Sequence, residues 1–296
     1  MMQKFNQKQV NKLNFITTIV LILSVSVCSY IVVQADAPSK QYIVDETKIK
    51  ASTVLVKNIT TNTVLYEKKA HEIVPLASLT KLVTAITIRD MQKSWKGLPA
   101  MIQLQNNGKA QNTADRKIRT GGYFKIDDAI SYMLLTSSNF TAHSLSSQII
   151  PVQNFISYMN FVARKHGAKD MQFVNATGLT EVDKAGIHRN STGTATDVLN
   201  VLETIYKTYP DLMSSTVQSQ AYVTKQSTGQ SIVVENTNTA LDQIPGIILG
   251  KTGFTDDAGG NLALLIQRGD TVYGLIIMNS TIEERFTDAA YLATQI

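Results

Sequence analysis

The period of the apolar positions changes along the chain. An uncharged, largely apolar run spans Phe15 to Val33, and a polar, unpatterned stretch follows from 37 to about 50. Residues 52–58 and 63–68 are then rich in Val, Leu, Ile and Thr on either side of Thr60-Thr61-Asn62, which predicts two strands joined by a tight turn. From 78 to about 91 Leu82, Val83, Ile86 and Ile88 fall at helical spacings, which places Ser78 near a helix N-terminus and Lys81 one turn on. Helical patterns recur over 126–135, 141–149, 152–166 and 194–208. Strand patterns return at 246–252, 261–267 and 271–278, with Arg268-Gly269-Asp270 as a hairpin turn, before a closing helix over 283–293. Strands at both ends with helices between them predict one α/β (α+β) domain over 51–296, its terminal strands joined in a single antiparallel sheet.

The first residues change this picture. Lys4, Lys8 and Lys12 precede the apolar run and no acidic residue occurs before Asp36, the layout of an export signal. The run is long for a signal peptide and close to the roughly 20 residues that cross a bilayer, so residues 1–35 read as a cleaved signal peptide or an N-terminal membrane anchor. Val33-Gln34-Ala35 supplies the small-x-small pattern for cleavage after Ala35. Either fate exports the body, to the outer face of the membrane, the cell wall or the medium, with 36–50 as a spacer. Taking those three lysines from the 28 basic residues leaves 25 against 23 acidic ones, too even a balance for a nucleic-acid partner. Cys28 lies inside the apolar run without the small residue expected ahead of a lipidated cysteine. The body therefore has no disulfide and is held by its core.

A serine hydroxyl attacks a carbonyl only when something takes its proton. The four histidines, His71, His143, His166 and His188, sit in no Gly-x-Ser-x-Gly elbow, which disfavours a Ser-His-Asp hydrolase. Lysine can serve instead, and one helical turn brings an i+3 amine to a serine. Ser78-Leu79-Thr80-Lys81 has that spacing, and no other Ser-x-x-Lys occurs. Ser137-Ser138-Asn139 offers a hydroxyl for proton relay and an amide for a carbonyl, or else a plain helix cap. Lys251-Thr252-Gly253 ends a strand, where Lys and Thr suit a carboxylate and Gly admits a substrate backbone. Each motif alone is common; the three in this order, in an exported chain, form the set found in penicillin-binding proteins and class A β-lactamases. No cluster of His, Cys and carboxylates has metal-ligand spacing, and no cofactor is implied.

From about Ser52 onward the chain closely resembles the serine-type D-alanyl-D-alanine carboxypeptidases, the low-molecular-mass penicillin-binding proteins of peptidase family S11. The resemblance is carried by Pro75-Leu76-Ala77-Ser78-Leu79-Thr80-Lys81-Leu82, by Phe173-Val174-Asn175-Ala176-Thr177-Gly178-Leu179, by His188 with Ser191-Thr192, and above all by the segment from Lys251 to Gly259. It implies a β-lactamase/transpeptidase-like fold, an antiparallel sheet flanked by helices with a helical sub-domain. It further implies that Ser78 attacks the carbonyl between two D-alanines of a peptidoglycan stem peptide, with Lys81 accepting the proton and Ser137 passing it on. Asn139 would bind substrate, the N–H groups of Ser78 and Phe254 would hold the oxyanion, and Lys251, Thr252 and Arg285 the terminal carboxylate. β-Lactams would acylate Ser78 and leave slowly.

The sequence departs from that family at three places. Ser138 stands where the family has glycine and Phe140-Thr141 where it often has Asp-Ala. An insertion occupies 181–189, and the chain ends at Ile296 without the further β-rich domain that members commonly carry. A class A β-lactamase would need a glutamate in a Glu-x-x-Leu-Asn segment, and position 196 is Thr. A transpeptidase, or a scaffold that captures D-alanyl peptides without turnover, remains open on these residues.

Overall fold

The first and last strands of the body lie side by side. The computed structural model describes residues 42–104 and 122–296; the apolar run at 15–33, Cys28 and the junction after Ala35 lie outside the described residues. A hairpin of β1 (Thr53–Asn58) and β2 (Thr63–Lys68) leads into helix α1 (Thr80–Ser94). The helical part follows as α2 (Ile126–Thr136), α3 (Asn139–Ile149), α4 (Val152–Lys165), α5 (Ala195–Thr208) and α6 (Asp211–Val217). A second hairpin, β3 (Gln220–Thr224) and β4 (Ser231–Glu235), precedes β5 (Ile247–Thr255), β6 (Gly259–Arg268), β7 (Thr271–Ser280) and the final helix α7 (Glu284–Ala293).

The main sheet runs β5-β6-β7-β1-β2, with β1 antiparallel to β7 from Thr53↔Met278 to Asn58↔Tyr273. Residues 262–266 of β6 are buried without a break, because helices cover both faces of the sheet. One face, with Leu55, Ala263, Leu265, Val272 and Ile276, shares a core with the helices. On that side α5 sits so close that a Cβ at Gly274 would lie 2.2 Å from Leu199 Cδ1. By the alternation of a strand, Val54, Leu262, Leu264, Leu275 and Ile277 face the other way, where α7 buries Ala289 and Leu292. Helix α1 runs through the helical core, and two of its buried hydroxyls donate to backbone carbonyls, Thr87 Oγ1 to Val83 at 2.7 Å and Thr84 Oγ1 to Ala176 at 2.8 Å.

Ser78 lies in a 3₁₀ turn, Ala77–Leu79, just ahead of α1 rather than inside the helix. The β3–β4 hairpin and the short ladders Val74–Pro75 with Thr192–Gly193 and Glu181–Val182 with His188–Arg189 add to the expected elements. Among the described residues no helix is long and apolar enough to cross a membrane.

Candidate active site

The turn that carries Ser78 is clamped from several directions. Leu76 N–H donates to the Ser191 carbonyl at 2.8 Å, and Asn261 Nδ2 donates to the carbonyls of Pro75 and Leu76 at 3.0 and 3.1 Å. The register of β6 on β7 slips beside Asn261, an irregularity of the kind that re-aims a side chain. Ala77 has φ +46°, a left-handed conformation that a side-chain-bearing residue adopts only when its surroundings enforce it.

Lys81 is the second residue of α1, one turn beyond Ser78, and is fully buried. Its Nζ donates to Ser78 Oγ at 2.7 Å, to Asn139 Oδ1 at 2.7 Å and to the Thr177 carbonyl at 2.6 Å. The third partner comes from the loop 173–179. There Asn175 Oδ1 accepts from Thr177 N–H, Thr177 Oγ1 and Gly178 N–H, while its Nδ2 donates to the Leu179 carbonyl. This side-chain-built turn aims the Thr177 carbonyl at the lysine. Gly178, at φ +79°, packs so tightly that a Cβ there would lie 1.8 Å from the Ala77 carbonyl oxygen.

The three residues 137–139 divide their work. Ser137 closes α2 in a left-handed conformation, φ +59°, and its Oγ accepts from Lys251 Nζ at 2.9 Å. Ser138 is the cap: its Oγ accepts from Thr141 N–H at 3.0 Å and donates to Thr141 Oγ1 at 2.9 Å. With Phe140 also buried, the residues that depart from the family pattern face the interior, and those that match it flank Lys81 and Lys251. Replacing Ser138 by alanine should lower stability by about 1 kcal/mol, the usual loss for an N-cap; the denaturation midpoint checks it, and the rate of serine acylation should hold.

Strand β5 forms the opposite wall. A Cβ on Gly253 would lie 3.0 Å from Ser78 N and 3.2 Å from the Leu76 carbonyl, so glycine lets the strand press against the nucleophile turn. Phe254, next along, is half exposed. Thr252 Oγ1 shares a 2.7 Å hydrogen bond with Thr237 Oγ1. Arg285, from α7, is buried and donates from Nη1 to the Gly253 carbonyl at 2.6 Å and to the Asn261 carbonyl at 3.4 Å. Burial lowers its pKa to about 10, against an opposing pull from Glu283. Lys251 is held well below the usual lysine range, first by burial, then by the charges of Lys81 and Arg285.

If Lys251 meets a substrate carboxylate, it does so as the ammonium form, which exists only below its depressed pKa. The value of kcat/KM for an anionic peptide should therefore fall on the alkaline side, beginning at lower pH than an ordinary lysine would give and by up to about tenfold per pH unit. Lys251→Arg should move that limb upward in a pH–rate profile.

The site thus joins Ser78, Lys81, Ser137, Asn139, Lys251, Thr252 and Gly253 from three separate stretches of chain. Beside it runs an open groove of about 930 Å³ that shares Asn139 and Phe254 with the site and lies beside the nucleophile rather than over it. The sequence carried no signal for Thr237, a threonine in a loop, and marked Thr177 only as part of the segment 173–179, without a role for its carbonyl. Asn261 was legible only as a polar residue at the head of an apolar strand. Among the described residues no group of His, Cys, Asp and Glu is placed to hold a metal ion.

A buried lysine on a serine hydroxyl, with a second lysine on a second serine across the cleft, defines a serine acyl-transfer enzyme. Residues 40–281 match the peptidase S11 family, D-alanyl-D-alanine carboxypeptidase, and the chain belongs to that family. It is 28% identical over 273 residues to a D-alanyl-D-alanine endopeptidase of Pseudomonas aeruginosa, covering 91% of this chain and 83% of that one. It is 24% identical to the D-alanyl-D-alanine carboxypeptidase DacF of Bacillus subtilis, over 79% of this chain and 58% of that one. Its fold is similar to that of penicillin-binding protein D2 from Listeria monocytogenes in the ampicillin-bound form, with a TM-score of 0.72, 27% identity, and coverage of 83% of this chain and 97% of that one. The chain is a serine-type D-alanyl-D-alanine peptidase with the penicillin-binding fold.

Proposed function

We propose that this protein acts outside the cytoplasm and removes the terminal D-alanine from peptidoglycan stem peptides through an ester on Ser78. The observation that carries the reading is the 2.7 Å contact of Lys81 Nζ with Ser78 Oγ, made by a lysine buried among acceptors. Lys81 acts as the neutral amine, with its two N–H groups on Asn139 Oδ1 and the Thr177 carbonyl and its lone pair on the Ser78 hydroxyl, and takes that proton as Oγ attacks the carbonyl carbon. The oxyanion is held by the N–H groups of Ser78 and Phe254, a role supported by the close approach of Gly253 to Ser78 N. Ser137 relays the proton to the leaving amine, the C–N bond breaks, and D-alanine departs. Water then attacks the ester, adding its hydroxyl to the acyl carbon and its proton to Ser78. Asn139 positions the acyl carbonyl. Lys251 and Thr252 bind the terminal carboxylate, while Arg285 contributes positive charge from behind the strand and fixes the Gly253 carbonyl.

By the same step β-lactams acylate Ser78, and the ester leaves slowly. The test is to incubate the purified protein with penicillin and with diacetyl-Lys-D-Ala-D-Ala, following protein mass and free D-alanine. A stable adduct on Ser78 with D-alanine release is expected, and absence of both overturns the reading. A second reading, cleavage of a D-alanyl amide within a cross-linked peptide, is favoured by the endopeptidase names of the Pseudomonas aeruginosa relative and of an Escherichia coli relative at 26% identity. Release of monomers from a cross-linked peptide dimer would establish it.

A further inference from the structure

The inserted residues 181–189 form a built hairpin. Glu181 and Val182 pair with Arg189 and His188, and Asp183 Oδ1 closes the turn by accepting from the N–H groups of Ala185 and Ile187. The hairpin is fastened to the turn after β5 through one carboxylate. Asp257 accepts from Asn190 Nδ2 at 2.8 Å and Thr180 Oγ1 at 3.2 Å, and meets His188 Nδ1 at 2.9 Å. Asn190 first and His188 second hold its carboxyl below the usual range, so the fastening persists wherever the enzyme works near neutrality. What this joint creates is the far wall of the 930 Å³ groove, whose near end is Asn139 and Phe254.

We infer that this groove receives the acyl-side branch of the peptide and that the hairpin, with Glu181, determines which branch is accepted. The inference rests on Ser78 being the nucleophile. Direction follows from charge. Lys251 and Arg285 occupy one end of the site, where the C-terminal carboxylate belongs. The groove instead carries Glu181 and Asp256 as exposed carboxylates, and no lysine or arginine lines it among the described residues. Its basic side chains are the imidazoles of His143 and His188, and His188 is engaged by Asp257. Glu181 Oε1 accepts from Asn175 Nδ2 at 3.1 Å, which ties the wall to the loop that feeds Lys81. A peptide with a carboxylate at its C-terminus and a free amine on its acyl-side branch matches this polarity end to end; a branch with its amine acylated forfeits the second match.

The test compares α-acetyl-Lys-D-Ala-D-Ala, whose side-chain amine is free, with diacetyl-Lys-D-Ala-D-Ala. The ratio of their kcat/KM values is measured on the whole protein, on Glu181→Gln, and on a variant in which residues 182–187 are replaced by an Asn-Gly turn. A ratio taken on one preparation cancels the fraction of folded enzyme. The wild type should favour the free amine about threefold to fivefold, the range for one or two partly exposed charge pairs, and both variants should lower the ratio, Glu181→Gln by loss of a charge and the shortened hairpin by displacing Glu181 from the wall. A wild-type ratio near one, or variants that keep the wild-type ratio, overturns the groove assignment. Failure of the wild type to take a penicillin adduct on Ser78 overturns instead the serine reading beneath it, and this inference with it.

Discussion

Replacing Lys81 with alanine should slow acylation of Ser78 by penicillin about 10²- to 10⁴-fold, the range expected when a positioned general base is removed. Among the described residues no other proton acceptor is hydrogen-bonded to Ser78 Oγ. The four histidines make no hydrogen bond to Ser78 among those described, and Lys251 Nζ is engaged by Ser137 and by the Thr252 carbonyl. Stability should move far less than activity, because two effects oppose each other. The variant removes the desolvation penalty of a buried amine, worth several kcal/mol, and it strips Asn139 Oδ1 and the Thr177 carbonyl of a donor, at about 1–3 kcal/mol each. A time course of intact mass with penicillin, beside a denaturation curve, separates the two. Acylation at near the wild-type rate would move the base to another group, with the Lys251–Ser137 pair the next candidate.

Gly178→Ala should be nearly as damaging to catalysis, although Gly178 has no part in the proposed chemistry. A methyl group there would lie 1.8 Å from the Ala77 carbonyl oxygen, and φ is +79°. The conformation alone costs an L-residue about 1–2 kcal/mol, and forced overpacking adds about 1–3 kcal/mol. Relief comes only by moving Ala77, and with it Ser78 and the Thr177 carbonyl. A displacement of about 1 Å at a reacting group is worth roughly 10²-fold in rate. Gly97→Ala is the control: it has a similarly positive φ, +92°, with nothing within 4 Å of the added atom. If the clash is what matters, Gly97→Ala lowers the melting temperature slightly at unchanged acylation, and Gly178→Ala loses both. Equal effects at the two positions would place the damage in backbone strain alone.

These two positions also mark what the sequence could reveal. Strands with strong Val, Ile and Leu content, such as β6 and β7, and helices with a clear apolar stripe, such as α4 and α5, are visible because burial of one side dictates their spacing. The β3–β4 hairpin is not, since Gln220-Ala221-Tyr222-Val223-Thr224 buries one residue fully and a loop of polar residues separates it from its partner. The start of α1 is misplaced for another reason. Helical spacing fits Ser78 as well as Thr80, and the residues 77–79 form a 3₁₀ turn that leads straight into the helix, a difference of winding that apolar spacing over so few residues does not show. Ser137 shows the same limit: as a motif it is indistinguishable from the cap next to it, and the left-handed end of α2 decides which serine meets Lys251. Side chains could be nominated from residue type and order, whereas the Thr177 carbonyl, being backbone, carries no residue-type signal at all.

The pairing of β1 with β7 bears on how the enzyme is made. Ser78 and Lys81 emerge early in synthesis, yet the strand that flanks them, β5, and the one that closes the sheet, β7, emerge last, and β1 has no inner neighbour until residues 271–280 are present. Contacts of such long sequence separation are slow to form. The nascent chain therefore carries its nucleophile without Gly253 beside it or Lys251 across from it, chemically idle and with an open sheet edge. Activity therefore waits on the docking of β5 and β7, and a product truncated before β7 would be an aggregation hazard rather than a weakened enzyme.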